Sequence, residues 1–172
     1  CLNDGIPLVN IVRSEDQVGL LKSQGAEYVV NSSDADFAEQ LTAALNATGA
    51  TLAFDAIGGG KLGNAILMAM EAAAVQRMTD WSRYGSNEFK QLYIYGALDL
   101  APTKLNRGYG FSWGIGGWLL TPFMMKAGRE VVDRMQAKVV AELTTTFASG
   151  YSDRISLAES VTPGAGAKYG VR

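Results

Sequence analysis

Short apolar runs alternate along the chain with stretches whose apolar residues recur every three or four positions. Ile6–Val12 (IPLVNIV) is a run of the first kind and predicts a strand buried on both faces. Ser14, with Gln17 three residues on, has the spacing of a capping box and starts a helix that carries Val18, Leu20 and Leu21. Gly25 supplies its left-handed C-cap. Tyr28–Val30 predicts the next strand, and Asn31-Ser32-Ser33-Asp34 a polar turn. Phe37, Leu41, Ala44 and Leu45 fall at helical spacing on a second helix that Thr48-Gly49 ends. Thr51–Ile57 (TLAFDAI) predicts another buried strand.

Strand, helix, strand, helix, strand with short connections implies an α/β fold, a parallel sheet with right-handed crossovers. A third helix is predicted over Lys61–Val75, rich in Ala and Met. Gln76–Lys90 is polar and irregular, a loop or short helix, and Gln91–Tyr95 is a strand that ends at Gly96. Ala101–Gly110 reads as a loop, and Phe111–Leu120, with aromatic anchors among glycines, as a last edge strand. Lys126–Phe147 reads as one long amphipathic helix, with Val131, Val132, Met135, Val139, Val140 and Leu143 on its apolar side. The final stretch, with Gly164, Gly166 and Gly170, has no clear period and is expected to be frayed or truncated.

The 172 residues suffice for one domain with a real core. A net charge of -2 and no basic stripe give no reason to expect nucleic acid or an anionic membrane as partner. The apolar run around Gly116–Met125 is broken by Gly117, Thr121 and Pro122 and is too short to span a bilayer. The single cysteine, Cys1, leaves no internal disulfide, and the absence of histidine removes the Ser-His, Cys-His and His-zinc devices. No metal site is expected. With no signal-peptide pattern, a reducing cytoplasm is the expected address. A first residue other than methionine implies that something upstream has been removed or is not represented.

Ligands of an open parallel sheet bind at the carboxyl ends of its strands. Here those ends are Val12-Arg13-Ser14, Asn31-Ser32, Asp55–Gly60 and Gly96–Asp99. Gly58, Gly60 and Gly63 spell G-x-G-x-x-G, which suits a dinucleotide pyrophosphate at a helix N-terminus. That fingerprint also requires an acid about 20 residues on; Asp80 lies in the polar loop and Asp99 is too distant. The alternative is a glycine turn passing close to a ligand held elsewhere on the rim. Arg13 stands where NAD enzymes place a ribose-binding carboxylate, and an arginine there suits a 2′-phosphate; the alternative is a solvated surface arginine. Glu15 and Asp16 are explained by the helix macrodipole. Asp55 is either a catalytic carboxylate or a buried strand-end acceptor of backbone N–H groups, and the Trp113/Trp118 region either stacks a planar substrate or forms a dimer edge. Tyr93 and Tyr95 read as packing residues.

IPLVNIVRSEDQVGLLKSQGAEYVVNSS, GATLAFDAIGGG and QLYIYGAL together resemble the medium-chain dehydrogenases/reductases, most of all the zinc-free bacterial NADPH:quinone oxidoreductase branch. The resemblance runs from Cys1 to Ser160. It implies a partial Rossmann nucleotide-binding domain over residues 1–160, a doubly wound parallel sheet, and an irregular tail over 161–172. It implies NADPH as cofactor. Arg13 would read its phosphate, Asn31 and Ser32 flank the adenosine, and Ala56, Ile57 and Gly58, with Gly96, Ala97 and Leu98, approach the ribose and nicotinamide. It implies homodimerisation through the Phe111–Leu120 edge strand. The family's central strand and glycine-rich pyrophosphate turn precede Ile6, so Ile6–Val12 and Thr51–Ile57 lose their shared neighbour. The sheet must then leave a gap, pair those strands directly or borrow a strand. No catalytic residue falls within the chain. The expected function is the NADPH-binding portion of an oxidoreductase that reduces a quinone or another conjugated carbonyl, with the isolated chain inactive. The alternatives are a non-catalytic nucleotide-binding or dimerisation module, and a different doubly wound domain using Gly58–Gly63 as its own phosphate site.

Overall fold

Five parallel strands form two separate sheets that share a core with two helices. The structure, a computed structural model, describes residues 1–151 and 153–169. Gly170, the last glycine of the expected frayed end, lies outside them. In chain order the first elements are β1 (Val9–Val12), α1 (Glu15–Ser23), β2 (Tyr28–Asn31), α2 (Phe37–Thr48) and β3 (Leu52–Asp55). They are followed by β4 (Gly58–Gly60), α3 (Leu62–Gln76), β5 (Lys90–Ile94), β6 (Asp99–Thr103) and β7 (Trp113–Gly117). These make up one compact unit, Cys1–Leu119.

Local chemistry explains the boundaries. Pro7, with no N–H to donate, keeps Ile6 and Leu8 out of the first strand, which begins at Val9 rather than at Ile6. Ser14 Oγ accepts from Gln17 N–H at the start of α1. At its end Gly25 takes φ 90°, its N–H donates to Lys22 O, and Ala26 N–H donates to Leu21 O. That pairing is a Schellman cap. Gly49, at φ 64°, closes α2.

β1 pairs with β2, and β5 lies between β3 and β7, all in parallel. Leu41 and Leu45 of α2 and Ile66, Leu67 and Met70 of α3 form the core with Val30 and Leu92, and Val9, Ile11, Ala53, Trp113 and Ile115 pack against it. Both sheets therefore pack against the same core, one in the order β1-β2 and the other in the order β3-β5-β7. β1 and β3 are not paired with each other. Direct pairing of Ile6–Val12 with Thr51–Ile57, one of the expected outcomes, does not occur.

The expectation that Thr51–Ile57 is buried on both faces does not hold: Leu52 and Phe54 are 51% and 53% exposed. Helices α2 and α3 cover only one face of this sheet. On the other face Phe54 stacks on Tyr93 with ring centroids 5.7 Å apart, and Tyr95 and Trp118 meet it edge-on. Tyr93 and Tyr95 are thus packing residues, on a face left half open. The expected 101–110 loop begins instead as β6, a strand pairing with β4.

Residues from Leu120 onward form a second compact unit. It holds α4 (Leu120–Ala127), α5 (Arg129–Ala141), α6 (Leu157–Ser160) and α7 (Pro163–Tyr169). The single helix expected over Lys126–Phe147 is broken at Gly128, whose φ 82° and ψ 164° are open essentially to glycine alone. It also stops early, before the β-branched run Thr144-Thr145-Thr146, where the chain turns. The tail is more ordered than its sequence suggests. Ser156 and Glu159 close a capping box on α6, and Asp153 accepts from Lys168 and Tyr169 of α7. Those two donors hold the Asp153 carboxyl at about 2.

Candidate functional site

Two groups of strand ends carry the residues singled out in the sequence, one on each sheet. At the tips of β1 and β2, Arg13 is exposed and its backbone is fixed from both sides. Its N–H donates to Gln17 Oε1 at 3.0 Å, and its carbonyl accepts from Ser33 Oγ at 2.9 Å. Its guanidinium has no ion-pair or hydrogen-bond partner among the described residues. Ser32, also exposed, donates its N–H to Val12 O at 2.7 Å and so laces the two strand ends together. Asn31 is only 5% exposed. Its Oδ1 accepts from Ser33 N–H at 3.0 Å, and its Nδ2 donates to Glu15 Oε1 at 2.8 Å. Asn31 and Ser32 therefore do stand beside Arg13, but the inward-facing Asn31 is already occupied by protein partners. Sequence reasoning missed Ser33 and the second role of Glu15. The only available signal for the latter was an acid in the first turn of α1, which the macrodipole explains by itself.

At the tips of β3 and β5 the turns Ala56-Ile57-Gly58 and Gly96-Ala97-Leu98 are pressed together, backbone on backbone. Leu98 N–H donates to Ala56 O at 3.4 Å, and Asp99 N–H to Ile57 O at 2.9 Å. A Cβ on Gly96 would stand 2.3 Å from Ala56 O, and one on Gly58 would stand 2.8 Å from Gly96 O. No side chain fits at either position. Asp55, 3% exposed, sets the first turn by accepting Ile57 N–H on Oδ1 at 2.8 Å. That is the strand-end role, an acceptor of a backbone N–H. Its Oδ2 is buried with no hydrogen-bond partner and lies toward the first turn of α3, where a Cβ on Gly63 would be 3.8 Å away. The helix's positive end is a favourable environment for that oxygen. Ala97 and Leu98 are exposed on the rim, Leu98 by 74%.

The G-x-G-x-x-G stretch is not free to cradle phosphate. Gly58–Gly60 is the strand β4, whose carbonyls at Gly58 and Gly60 accept from Thr103 Oγ1 at 2.6 Å and Lys104 N–H at 2.8 Å. A Cβ on Gly59 would meet the Asp99 carboxyl carbon at 2.7 Å, so an acid already sits where a phosphate would come. The third glycine, Gly63, lets α3 lie against Leu92. The glycines serve close packing.

Within the expected edge strand Phe111–Leu120 the pairing covers Trp113–Gly117, at the margin of its sheet, and Leu120 already opens α4. Trp113, partly buried, packs edge-on against the buried Tyr109 of the core, with centroids 5.1 Å apart. Among the described residues no helix is long and apolar enough to cross a membrane.

No protein-family model matches the chain, and no curated protein matches it by sequence. Solved structures do match. A Mesorhizobium loti protein assigned as an NADPH:quinone reductase superposes with a TM-score of 0.70 at 24% identity, over 94% of this chain and 42% of the other. A mutant form of enoyl thioester reductase from Candida tropicalis gives a TM-score of 0.60 at 17% identity, over 90% of this chain and 41% of the other. The likeness is one of fold: a Rossmann-like α/β domain. The chain spans less than half the length of either structure.

Proposed function

We propose that the chain is the NADPH-binding portion of an oxidoreductase. The observation that carries this reading is Arg13. It is a guanidinium at a strand tip, held by its backbone on both sides and left without a protein partner, in a fold shared with the two reductases. An unpaired cation carried on a fixed backbone at this position suits a 2′-phosphate, and a charge-assisted hydrogen bond there contributes about 1.5–3 kcal/mol. The exposed Ala97 and Leu98 and the tight Ala56–Gly58 turn offer an apolar rim and backbone groups for the nicotinamide end. The pyrophosphate between them has to be met elsewhere than at Gly58–Gly63, which is occupied by its own pairing. When bound, NADPH supplies the hydride, while these residues bind and orient it. We place a quinone or another conjugated carbonyl as acceptor, a class that the names of both similar structures fit. The unpaired edge of β7 is proposed as the contact of a homodimer.

Titration of NADPH and NADH into the full-length protein tests the reading. Arg13→Ala is expected to weaken NADPH by about ten- to a hundredfold and to leave NADH nearly unchanged. Equal discrimination in mutant and wild type would remove the phosphate role.

A further inference from the structure

Arg13 is followed closely by two acids, Glu15 and Asp16, at the start of α1, yet neither pairs with it. The reason for Glu15 is visible. Its Oε1 is held at 2.8 Å by the Nδ2 of Asn31, a residue from the neighbouring strand that is 5% exposed. Asn31 is itself locked, because its Oδ1 takes the Ser33 N–H at 3.0 Å. Ser33 in turn binds the Arg13 carbonyl at 2.9 Å. A chain of hydrogen bonds thus runs from Glu15 through Asn31 and Ser33 to the backbone carbonyl of Arg13 and holds the Glu15 carboxylate on Asn31.

Without that clamp, a carboxylate two residues from a free guanidinium has an obvious alternative partner. Both side chains are long enough to meet across that separation. The released carboxylate would also repel a phosphate approaching Arg13. It could instead accept from a ribose hydroxyl, the task of the acid in NAD-selective sites. The buried amide therefore decides which of the two charges faces a ligand.

We infer that Asn31 is a specificity-determining positioning residue: it holds Glu15 away from Arg13 so that the site selects a phosphorylated over an unphosphorylated ribose. This rests on the phosphate role of Arg13 and is a different role from contact with the adenosine. Asn31 acts through Glu15, and a side chain able only to fill the same space does not replace it.

The test is a set of titrations of NADPH and NADH into the full-length protein carrying Asn31→Ala, Asn31→Asp, Glu15→Gln, Asn31→Ala with Glu15→Gln, and Arg13→Ala. Asn31→Asp keeps the acceptor for Ser33 N–H but turns attraction for Glu15 into repulsion, so it separates the clamp from the turn. Both Asn31 single variants are expected to weaken NADPH about three- to tenfold, the scale of an exposed ion pair plus repulsion of the phosphate. NADH binding should be unchanged or tighter. Adding Glu15→Gln to Asn31→Ala should return NADPH affinity to within about twofold of wild type, since a neutral amide neither pairs with Arg13 nor repels phosphate. Equal loss of both nucleotides without rescue by Glu15→Gln would overturn the inference and leave Asn31 a purely structural residue. Glu15→Gln is on an exposed helix turn and folds independently of the clamp. If Asn31→Ala does not fold, Asn31→Asp with and without Glu15→Gln carries the same test, and equal loss of both nucleotides without rescue would overturn it as well. Arg13→Ala separates the two failures. Lost discrimination there with none lost at Asn31 sinks this inference alone, and retained discrimination in both sinks the phosphate site with it.

Discussion

Lys90 has no exposed surface at all, and its three N–H donors are all used. They reach Glu71 Oε2 at 2.5 Å, Ser86 Oγ at 2.8 Å and Glu88 O at 2.8 Å. Glu71 also accepts Ser86 N–H at 2.8 Å and Ser86 Oγ–H at 2.6 Å. This network ties the irregular 77–89 segment to α3 and β5. Breaking a buried pair leaves one charge uncompensated, so Lys90→Met should destabilise the chain by about 3–5 kcal/mol. Glu71→Gln with Lys90→Met should cost less than Lys90→Met alone, and urea unfolding of wild type and the two variants decides it. Burial pushes the Glu71 carboxyl up, but its hydrogen bonds from Lys90 and Ser86 outweigh that and hold it below its ordinary 4.5. The folded carboxylate therefore binds protons less readily than the unfolded one. Its contribution is complete above about pH 4.5 and is lost as pH falls through the lowered value. Unfolding midpoints measured from pH 6 down to pH 3 should fall more steeply for wild type than for Glu71→Gln. Parallel slopes would show that Glu71 is not the group involved. None of this was legible in the polar 76–90 stretch, because the partners stand 15 and 19 residues from Glu71 and follow no period.

The helices show which boundaries are written locally. Ser14 and Gly25 mark α1 in the sequence as in the structure, since a cap satisfies groups within a few residues of itself. One detail differs: the Gln17 side chain returns to the N–H of Arg13 rather than to that of Ser14. The α4–α5 break is another matter, because apolar residues such as Met124, Ala127, Val131 and Met135 continue at helical spacing across it. The break rests on one glycine conformation, at φ 82° and ψ 164°. An alanine held there would be strained by about 1–3 kcal/mol, whereas alanine is the best helix former. Gly128→Ala is therefore expected to fuse α4 and α5 and to raise the helical signal in far-ultraviolet circular dichroism. An unchanged spectrum with a lower melting temperature would show that other contacts enforce the break.

At the scale of the molecule, the split sheet divides strands that look equivalent in sequence. β5 is bonded on both sides, whereas β1 and β3 each pair on one side only. Hydrogen exchange on the chain should accordingly protect Gln91–Ile94 throughout, while alternate amides of β1 and of β3 exchange much faster. Uniform protection of β1 and β3 would mean that the two sheets join in solution. The alternation of strands and helices, the parallel α/β class, the caps of α1 and α2 and the rim bearing Arg13 were all determined by the sequence alone. They depend on periodicity and on hydrogen bonds a few residues long. Tertiary structure alone decided that β1 and β3 stay in separate sheets, that Gly58–Gly60 becomes a strand against β6, and that one sheet face is left half exposed. It alone placed Asn31 against Glu15 and buried Lys90 on Glu71. Each of these outcomes joins groups far apart in the chain, and each is a choice between alternatives that the local sequence supports about equally.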